Sequence, residues 1–203
     1  MLDKKTRKWY SICTMKKHII SLGGLPGSGK STVRGLLAMA LGYQTTSTGD
    51  FMRSMALARG ISFDDFNALI ATDKSIDLEI DAKLQDIEAT GDTMIIDSHL
   101  AFYFVPSSLK VFLNISLETS ARRIYKDGDR ESRKSVGDTM DSVEEAMQRI
   151  QARIDNHNDR YMRHYGISPY DQSQYDLVIE TENQTPEAVT GQILQAYQIW
   201  LAN

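Results

Sequence analysis

The chain predicts an α/β fold with a parallel sheet, and three observations carry the prediction. Apolar runs of strand length alternate with helical patterns. A glycine-rich loop joins the first of these runs directly to a helix-like segment. No internal repeat or low-complexity linker interrupts the order, so the 203 residues suit one domain large enough to bury a core without staples. The single cysteine, Cys13, rules out an internal disulfide and a cysteine-based metal cluster, and a reducing cytoplasm is the expected location.

The first strand is expected over 18–23, through His18-Ile19-Ile20-Ser21-Leu22. It runs into Gly24-Leu25-Pro26-Gly27-Ser28-Gly29-Lys30-Ser31, a full GxxxxGK(S/T) pattern, and then into a helix from Ser31 to Leu41. Lacking Cβ atoms, Gly24, Gly27 and Gly29 can take the strained angles such a loop needs. Successive N–H groups then face one concavity at a helix N-terminus, which stabilises a polyphosphate. Gly24, Gly27, Ser28, Gly29, Lys30, Ser31 and Thr32 are the expected triphosphate contacts. Lys30 is placed to reach the β- and γ-phosphates, and the Ser31 hydroxyl to ligate Mg²⁺. The pattern alone predicts nucleoside triphosphate binding; motors, GTPases and kinases all carry it.

A second strand is expected over 43–47, and its end reads Thr46-Ser47-Thr48-Gly49-Asp50-Phe51-Met52-Arg53. Ligands in open α/β sheets sit beyond the carboxyl ends of the strands. Arg53, expected on the first turn of the following helix, therefore faces the same crevice as Lys30, where a guanidinium suits bidentate phosphate capture. Thr48 and Asp50 either cap that helix or touch the substrate. A long helical insertion follows over 51–90, with Ser62-Phe63-Asp64-Asp65 opening one of its helices as a capping box.

The third strand, expected over 93–97, ends at Asp97-Ser98-His99. A carboxylate here can hold Mg²⁺ or orient the nucleotide. No glutamate follows Asp97, as a water-activating ATPase requires, and no Asn-Lys-x-Asp guanine motif occurs, so motors and GTPases are disfavoured. His99 is either a polar contact to the acceptor or a satisfied buried histidine. The fourth strand is expected over 109–115. After its helix comes Lys126-Asp127-Gly128-Asp129-Arg130-Glu131-Ser132-Arg133-Lys134, which reads as a solvated turn or as a mobile lid.

One long helix is expected from Asp141 to Tyr165. Val143, Met147, Ile150, Ile154 and Tyr161 form its core stripe, and Arg149, Arg153 and Arg160 a basic one. Arg153 and Arg160 are separated by about 10 Å along the axis, enough to serve two phosphate groups, although basic faces on long helices are common. The fifth strand is expected over 175–180. The last helix starts at Thr185-Pro186-Glu187, with Val189, Ile193, Leu194, Tyr197, Ile199 and Leu201 expected to pack on the sheet.

Charge is uneven. Lys4, Lys5, Arg7 and Lys8 oppose only Asp3 in residues 1–14, so the rest of the chain is more acidic than the net −4 suggests. An acidic body disfavours a nucleic-acid surface. Residues 1–14 are expected to be a disordered extension preceding a nucleotide-binding domain over 15–203. No apolar run is long enough to span a bilayer, and no membrane association is expected.

With these pieces placed, the chain resembles the P-loop nucleoside monophosphate kinases, and among them the short archaeal-type cytidylate kinases. The resemblance runs from about residue 18 to the C-terminus. It rests on the phosphate loop, Thr48-Gly49-Asp50-Phe51-Met52-Arg53, Asp73 to Asp81, Arg122-Arg123-Ile124, Arg153 and Arg160-Tyr161 leading into Tyr165-Gly166-Ile167, and Tyr175-Asp176-Leu177-Val178-Ile179. It implies a three-layer sandwich with strand order 2-3-1-4-5, a monophosphate-binding insertion at 51–90 and a lid at 126–140. It implies ATP and Mg²⁺ as cofactors, a nucleoside monophosphate as acceptor, with CMP or dCMP expected, and a monomer or homodimer. Lys30, Arg123, Arg153 and Arg160 become the expected catalytic set. Arg53 and Arg153 would bind the acceptor phosphate, and Arg123 and Arg160 would serve the lid and the transferred group. Ser31 and Asp97 would hold the metal, and Thr48, Asp50, Arg53, Asp97, His99, Arg153 and His157 the acceptor. Two positions depart from the family pattern. Ser98-His99 stands where Gly-Arg is usual, and His157 where bacterial relatives carry an acid; both positions help read the nucleoside. A kinase of another small acceptor, such as dephospho-coenzyme A, and a low-turnover nucleotide-binding regulator remain the alternatives.

Overall fold

The computed structural model describes residues 18–70, 73–90, 93–127 and 140–203. The basic N-terminal extension and nearly all of the expected lid lie outside the described residues. Five strands form one all-parallel sheet in the order β2-β3-β1-β4-β5: β1 is Ile19–Gly24, β2 Gln44–Ser47, β3 Met94–Asp97, β4 Leu109–Asn114 and β5 Leu177–Glu180. Each strand lies within about two residues of its expected span. The largest difference is in the last, because Tyr175 and Asp176 serve as spacers before it. The Tyr175 ring packs on Gly23, Phe102 and Phe112, and the Asp176 carboxylate accepts the Lys110 N–H at 2.8 Å.

The central strands read as continuous apolar runs because both faces of the sheet are covered. Successive side chains alternate between the two faces. Ile19 and Ile96 pack into one core with Met52, Ala56, Phe63, Phe66, Ile76 and Leu84, while Ile20, Leu22 and Ile95 pack into the other with Val33, Leu37, Val189, Ile193 and Tyr197. The second core is covered by α1 (Lys30–Leu41) and the last helix, α8 (Pro186–Ala202). The first is covered by α2 (Thr48–Arg59), α3 (Phe63–Ile70), α4 (Lys74–Thr90), the short α5 (Ala101–Phe104) and the long α7 (Val143–Tyr165). A third cluster, Ala121, Ile124, Ala146 and Ile150, joins α6 (Leu117–Lys126) to α7.

Local sequence explains the helix ends. The Ser142 hydroxyl accepts the Glu145 N–H, so α7 begins two residues later than expected, and Gly166 closes it at a φ of +70°. The Thr185 hydroxyl caps α8 ahead of Pro186. On α8 the packed row is Val189, Ile193 and Tyr197, whereas Ile199 and Leu201 remain 57% and 38% exposed. Two residues turn a helix by about 200°, so Ile199 lies opposite Tyr197 and the expected broad apolar face is narrower. Among the described residues no helix is long and apolar enough to cross a membrane.

Candidate active site

A cavity of about 510 Å³ opens at the carboxyl ends of β1, β2 and β3. One wall is the glycine loop. Gly24 has a φ of +136°, and a Cβ there would run into the Leu113 carbonyl, so side chains are shut out by conformation and by space. Gly27 and Gly29 also have positive φ, and Gly29 is the residue on which α1 starts. The Ser120 hydroxyl of α6 donates to the Pro26 carbonyl and braces the loop from behind. The Lys30 ammonium curls over the loop, donating to the Gly24 and Leu25 carbonyls at 2.9 and 2.7 Å. Ser28 is buried behind the loop, and its hydroxyl oxygen has no hydrogen-bond partner. The cradle of amides and a lysine fits a polyphosphate.

Asp97 ends β3 level with Leu22 of β1 and Ser47 of β2, and it lines the cavity together with Ser31. Burial holds its carboxyl above the ordinary carboxylate range, opposed only in part by Lys30 and Arg34. A hydroxyl and a carboxylate facing a phosphate cradle are hard oxygen donors that suit Mg²⁺, which takes few protein ligands when phosphates supply others. Among the described residues no group of three His, Cys, Asp or Glu could hold a metal by itself.

The opposite wall carries cations arranged by acids. Asp50 accepts from Arg53 at 2.7 Å and from Arg34 at 2.9 Å. Partial burial pushes the Asp50 carboxyl up, but those two guanidinium groups outweigh it and hold the group below the ordinary carboxylate range. In parallel, Asp64 accepts from Arg153 at 2.7 Å and pairs with Arg149 at 3.0 Å. The Phe63 ring sits between the two clamps, with the Arg53 and Arg153 guanidinium carbons 5.6 and 5.2 Å from its centre. Arg123 enters from α6 and is anchored by the Thr181 and Glu182 carbonyls at 2.7 and 3.1 Å.

Farther along the cavity the lining turns neutral and aromatic. His99 and His157 face each other with ring centres 4.7 Å apart. His157 stacks on Tyr161 and shares a 2.9 Å hydrogen bond with the Tyr170 hydroxyl through Nδ1. Burial pulls the His99 imidazole down to about 3, helped by Lys30 and Arg160. Burial also pulls His157 well below its ordinary value, with His99 and Arg160 adding to the effect. Both rings are neutral near pH 7. Asn67 and Tyr161 complete this end, and Asp77, set against the Arg160 guanidinium, is the one acid in its lining among the described residues.

The structure therefore brings together Gly27, Gly29, Lys30, Ser31, Thr32, Thr48, Arg53, Asp97, His99, Arg123, Arg153 and His157. It keeps four expected residues out of the lining. Gly24 and Ser28 sit behind the loop. Asp50 neither caps α2 nor enters the cavity: the Ser47 hydroxyl takes the cap, accepting the Asp50 N–H at 3.2 Å, and the carboxylate orients arginines. Because α2 starts at Thr48, Arg53 lies one turn deeper in the helix than expected. Thr48 is the first helical residue, its hydroxyl 3.5 Å from the Asp97 carbonyl.

Arg160 is the fourth. It is 1% exposed, donates to the Tyr161 hydroxyl at 2.9 Å and lies 3.4 Å from the buried Asp77 carboxylate. Two helical turns beyond Arg153 carry it past the cavity into the floor, where Asp77 of α4 receives it. Phe63 and Asn67 escaped the sequence reading as site residues, although their i,i+4 spacing on a helix opened by Ser62 was visible. Tyr170 had no periodic signal, because it stands on a loop.

The fold and this cavity define a P-loop phosphotransferase architecture. A family model described as an AAA domain matches residues 20–164. The chain is 32% identical over 181 residues to the cytidylate kinase of Methanobrevibacter smithii, covering 89% of this chain and 99% of that one. It is 34% identical over 181 residues to that of Sulfurisphaera tokodaii, covering 88% and 94%. The chain belongs to the cytidylate kinase family within the P-loop proteins. Among solved structures it is similar to a shikimate kinase from Bacteroides thetaiotaomicron, with a TM-score of 0.59, 14% identity, and 89% and 98% of the two chains covered. A gluconokinase from Sinorhizobium meliloti gives a TM-score of 0.58 at 17% identity, covering 94% and 97%. These two likenesses speak to the fold alone.

Proposed function

We propose that the chain is an ATP-dependent nucleoside monophosphate kinase acting in the cytoplasm, with CMP or dCMP as acceptor. The observation that carries this reading is that Arg53 and Arg153, from separate helices, enter the same cavity as Lys30. One cavity can thus hold two anions, a triphosphate tail on the glycine loop and a monophosphate on the arginines.

The triphosphate lies along Gly27 to Thr32 with Lys30 moved from its loop carbonyls onto the β- and γ-phosphates. Mg²⁺, held through Ser31 and Asp97, supplies neutralisation of the phosphate oxygens when bound. Arg53 and Arg153 hold the acceptor phosphate, with α2, α3 and α4 serving as the monophosphate-binding insertion. An acceptor phosphate oxygen attacks the γ-phosphorus in line, the bond to the β,γ-bridging oxygen breaks, and ADP leaves with that electron pair. A phosphate monoester dianion is already nucleophilic at neutral pH, so no general base is required. Lys30 and Arg123 neutralise charge on the transferring oxygens, and the protein otherwise contributes positioning. Arg160 supports the acceptor end from below through Asp77 and Tyr161.

ADP release measured with ATP and a panel of CMP, dCMP, UMP, AMP, dephospho-coenzyme A and shikimate tests the reading. Turnover is expected with the cytidine monophosphates. Turnover only with a non-nucleotide, or ATP binding without acceptor-dependent ADP release, overturns it.

A further inference from the structure

The neutral end of the cavity contains a connected group that the phosphate chemistry does not use. Tyr170 stands on the loop after α7, and that loop is pinned at several points. Ser168 donates to the Asn158 side chain at 2.7 Å, the Tyr170 N–H donates to Ser168 at 3.3 Å, and the Tyr175 hydroxyl donates to the Pro169 carbonyl at 2.8 Å. The Tyr170 hydroxyl is therefore held at a fixed point, 2.9 Å from His157 Nδ1. His157 is 8% exposed and lies between the Tyr161 ring, at 5.7 Å, and the His99 ring, at 4.7 Å. His99 also meets Tyr170 edge-on at 5.7 Å, and its buried Nδ1 has no hydrogen-bond partner.

Hydrogen-bond bookkeeping assigns the tautomer. His157 Nδ1 is the protein partner of the half-buried Tyr170 hydroxyl, which donates to it, and Nδ1 of a neutral imidazole can accept only when the ring proton is on Nε2. With Tyr170 donating to Nδ1, His157 carries its proton on Nε2 and has a single N–H donor to offer. Burial keeps this ring uncharged, so the donor is neutral and suits an uncharged oxygen rather than a phosphate.

We propose that Tyr170 is a positioning residue that fixes the tautomer of His157, so that His157 and His99 together read an uncharged hydrogen-bond acceptor on the nucleoside part of the acceptor nucleotide. This rests on the kinase reading above. A cytidine nucleotide offers that chemistry at the ring carbonyl of the base and at the 2′- and 3′-hydroxyls of the ribose. The expected consequence is discrimination through the Michaelis constant of the acceptor, independent of ATP.

The test is Tyr170→Phe, which removes the hydroxyl and keeps the ring packed on His99, measured beside His157→Gln and the double variant. Glutamine supplies an amide N–H near the Nε2 position without needing a tautomer. In the wild-type background Tyr170→Phe is expected to raise the acceptor KM about five- to tenfold, the usual worth of one hydrogen bond, with the ATP KM unchanged. In the His157→Gln background the same change is expected to add nothing, a non-additivity that a merely structural tyrosine does not give. A loss seen with CMP but not dCMP assigns the 2′-hydroxyl; an equal loss with both assigns the base carbonyl or the 3′-hydroxyl, which 3′-deoxy-CMP then separates. Unchanged acceptor KM, equal losses for ATP and acceptor, or additive losses in the double variant overturn the proposal. Absence of wild-type turnover with every nucleoside monophosphate instead sinks the kinase reading, which keeps the two failures distinct.

Discussion

On the Gly24–Ser31 side of the cavity the ligand is faced mainly by backbone amides, joined by the Lys30 and Ser31 side chains, whereas on the facing side it is met by side chains held in place by other side chains. The loop needs glycine at Gly24 and Gly27 because a Cβ would strike the Leu113 or Ser120 carbonyl, and much of its anion affinity then comes from amides that ordinary side-chain substitutions leave in place. The acceptor wall works by pairs. Asp50 arranges Arg34 and Arg53, and Asp64 arranges Arg149 and Arg153, each acid standing at the margin while an arginine enters the cavity. Preorganising a cation by a carboxylate lowers its freedom before substrate arrives, at the cost of part of its field. The donor wall is thus shared by any protein with this loop, and acceptor choice resides in side chains that can change one at a time.

Substitutions that remove charge from each wall separate the two. Lys30→Ala is expected to lower kcat about 10³-fold or more, as loss of a cation on the transferring group does, with the thermal midpoint little changed. Arg153→Ala is expected to lower kcat/KM for the acceptor about 10²-fold while the ATP KM stays within about twofold of wild type. If Arg153→Ala instead weakens ATP as much as the acceptor, the division into two walls is wrong. Asp64→Asn and Asp50→Asn keep both arginines and lose only their alignment, so each is expected to cost about tenfold in acceptor kcat/KM. An effect as large as that of Arg153→Ala would show that the carboxylate itself touches substrate.

The smallest effect concerns acidity at the neutral end. His157 has a folded pKa well below 6.5, so the unfolded chain takes up its proton first as the pH falls. Stability is then present above about pH 6.5 and declines below it, by up to about 1.4 kcal/mol per pH unit for this ring. Urea midpoints between pH 7 and pH 5 check this, and His157→Phe is expected to reduce the slope, with His99 contributing the remainder. A slope unchanged by that substitution would assign the acid sensitivity elsewhere.

How much of this was legible follows the same division. The strand positions, the loop and the caps at Ser62 and Thr185 were readable because they depend on short-range rules: apolar runs of strand length, glycine spacing, and Ser or Thr before an acid; the strand order came only from the family resemblance. Lys30 and Ser31 were fixed by the loop pattern. Arg53 and Arg153 were readable as cations on the right faces, but their partners were not, since Asp50 and Asp64 act across distances set by packing. Arg160 shows the limit of azimuth arguments. A step of seven returns to the same face of α7, yet α4 covers that level with Asp77, and the arginine becomes part of the floor. His157 and His99 lie 58 positions apart and meet only because β3 and α7 converge.

Initial rates over a two-substrate grid of ATP and CMP test most directly whether one cavity grips both anions at once. Lines that intersect in the double-reciprocal plot, reporting a ternary complex and direct transfer, are the predicted result. Parallel lines, reporting a phosphorylated protein between two half-reactions, would contradict the account.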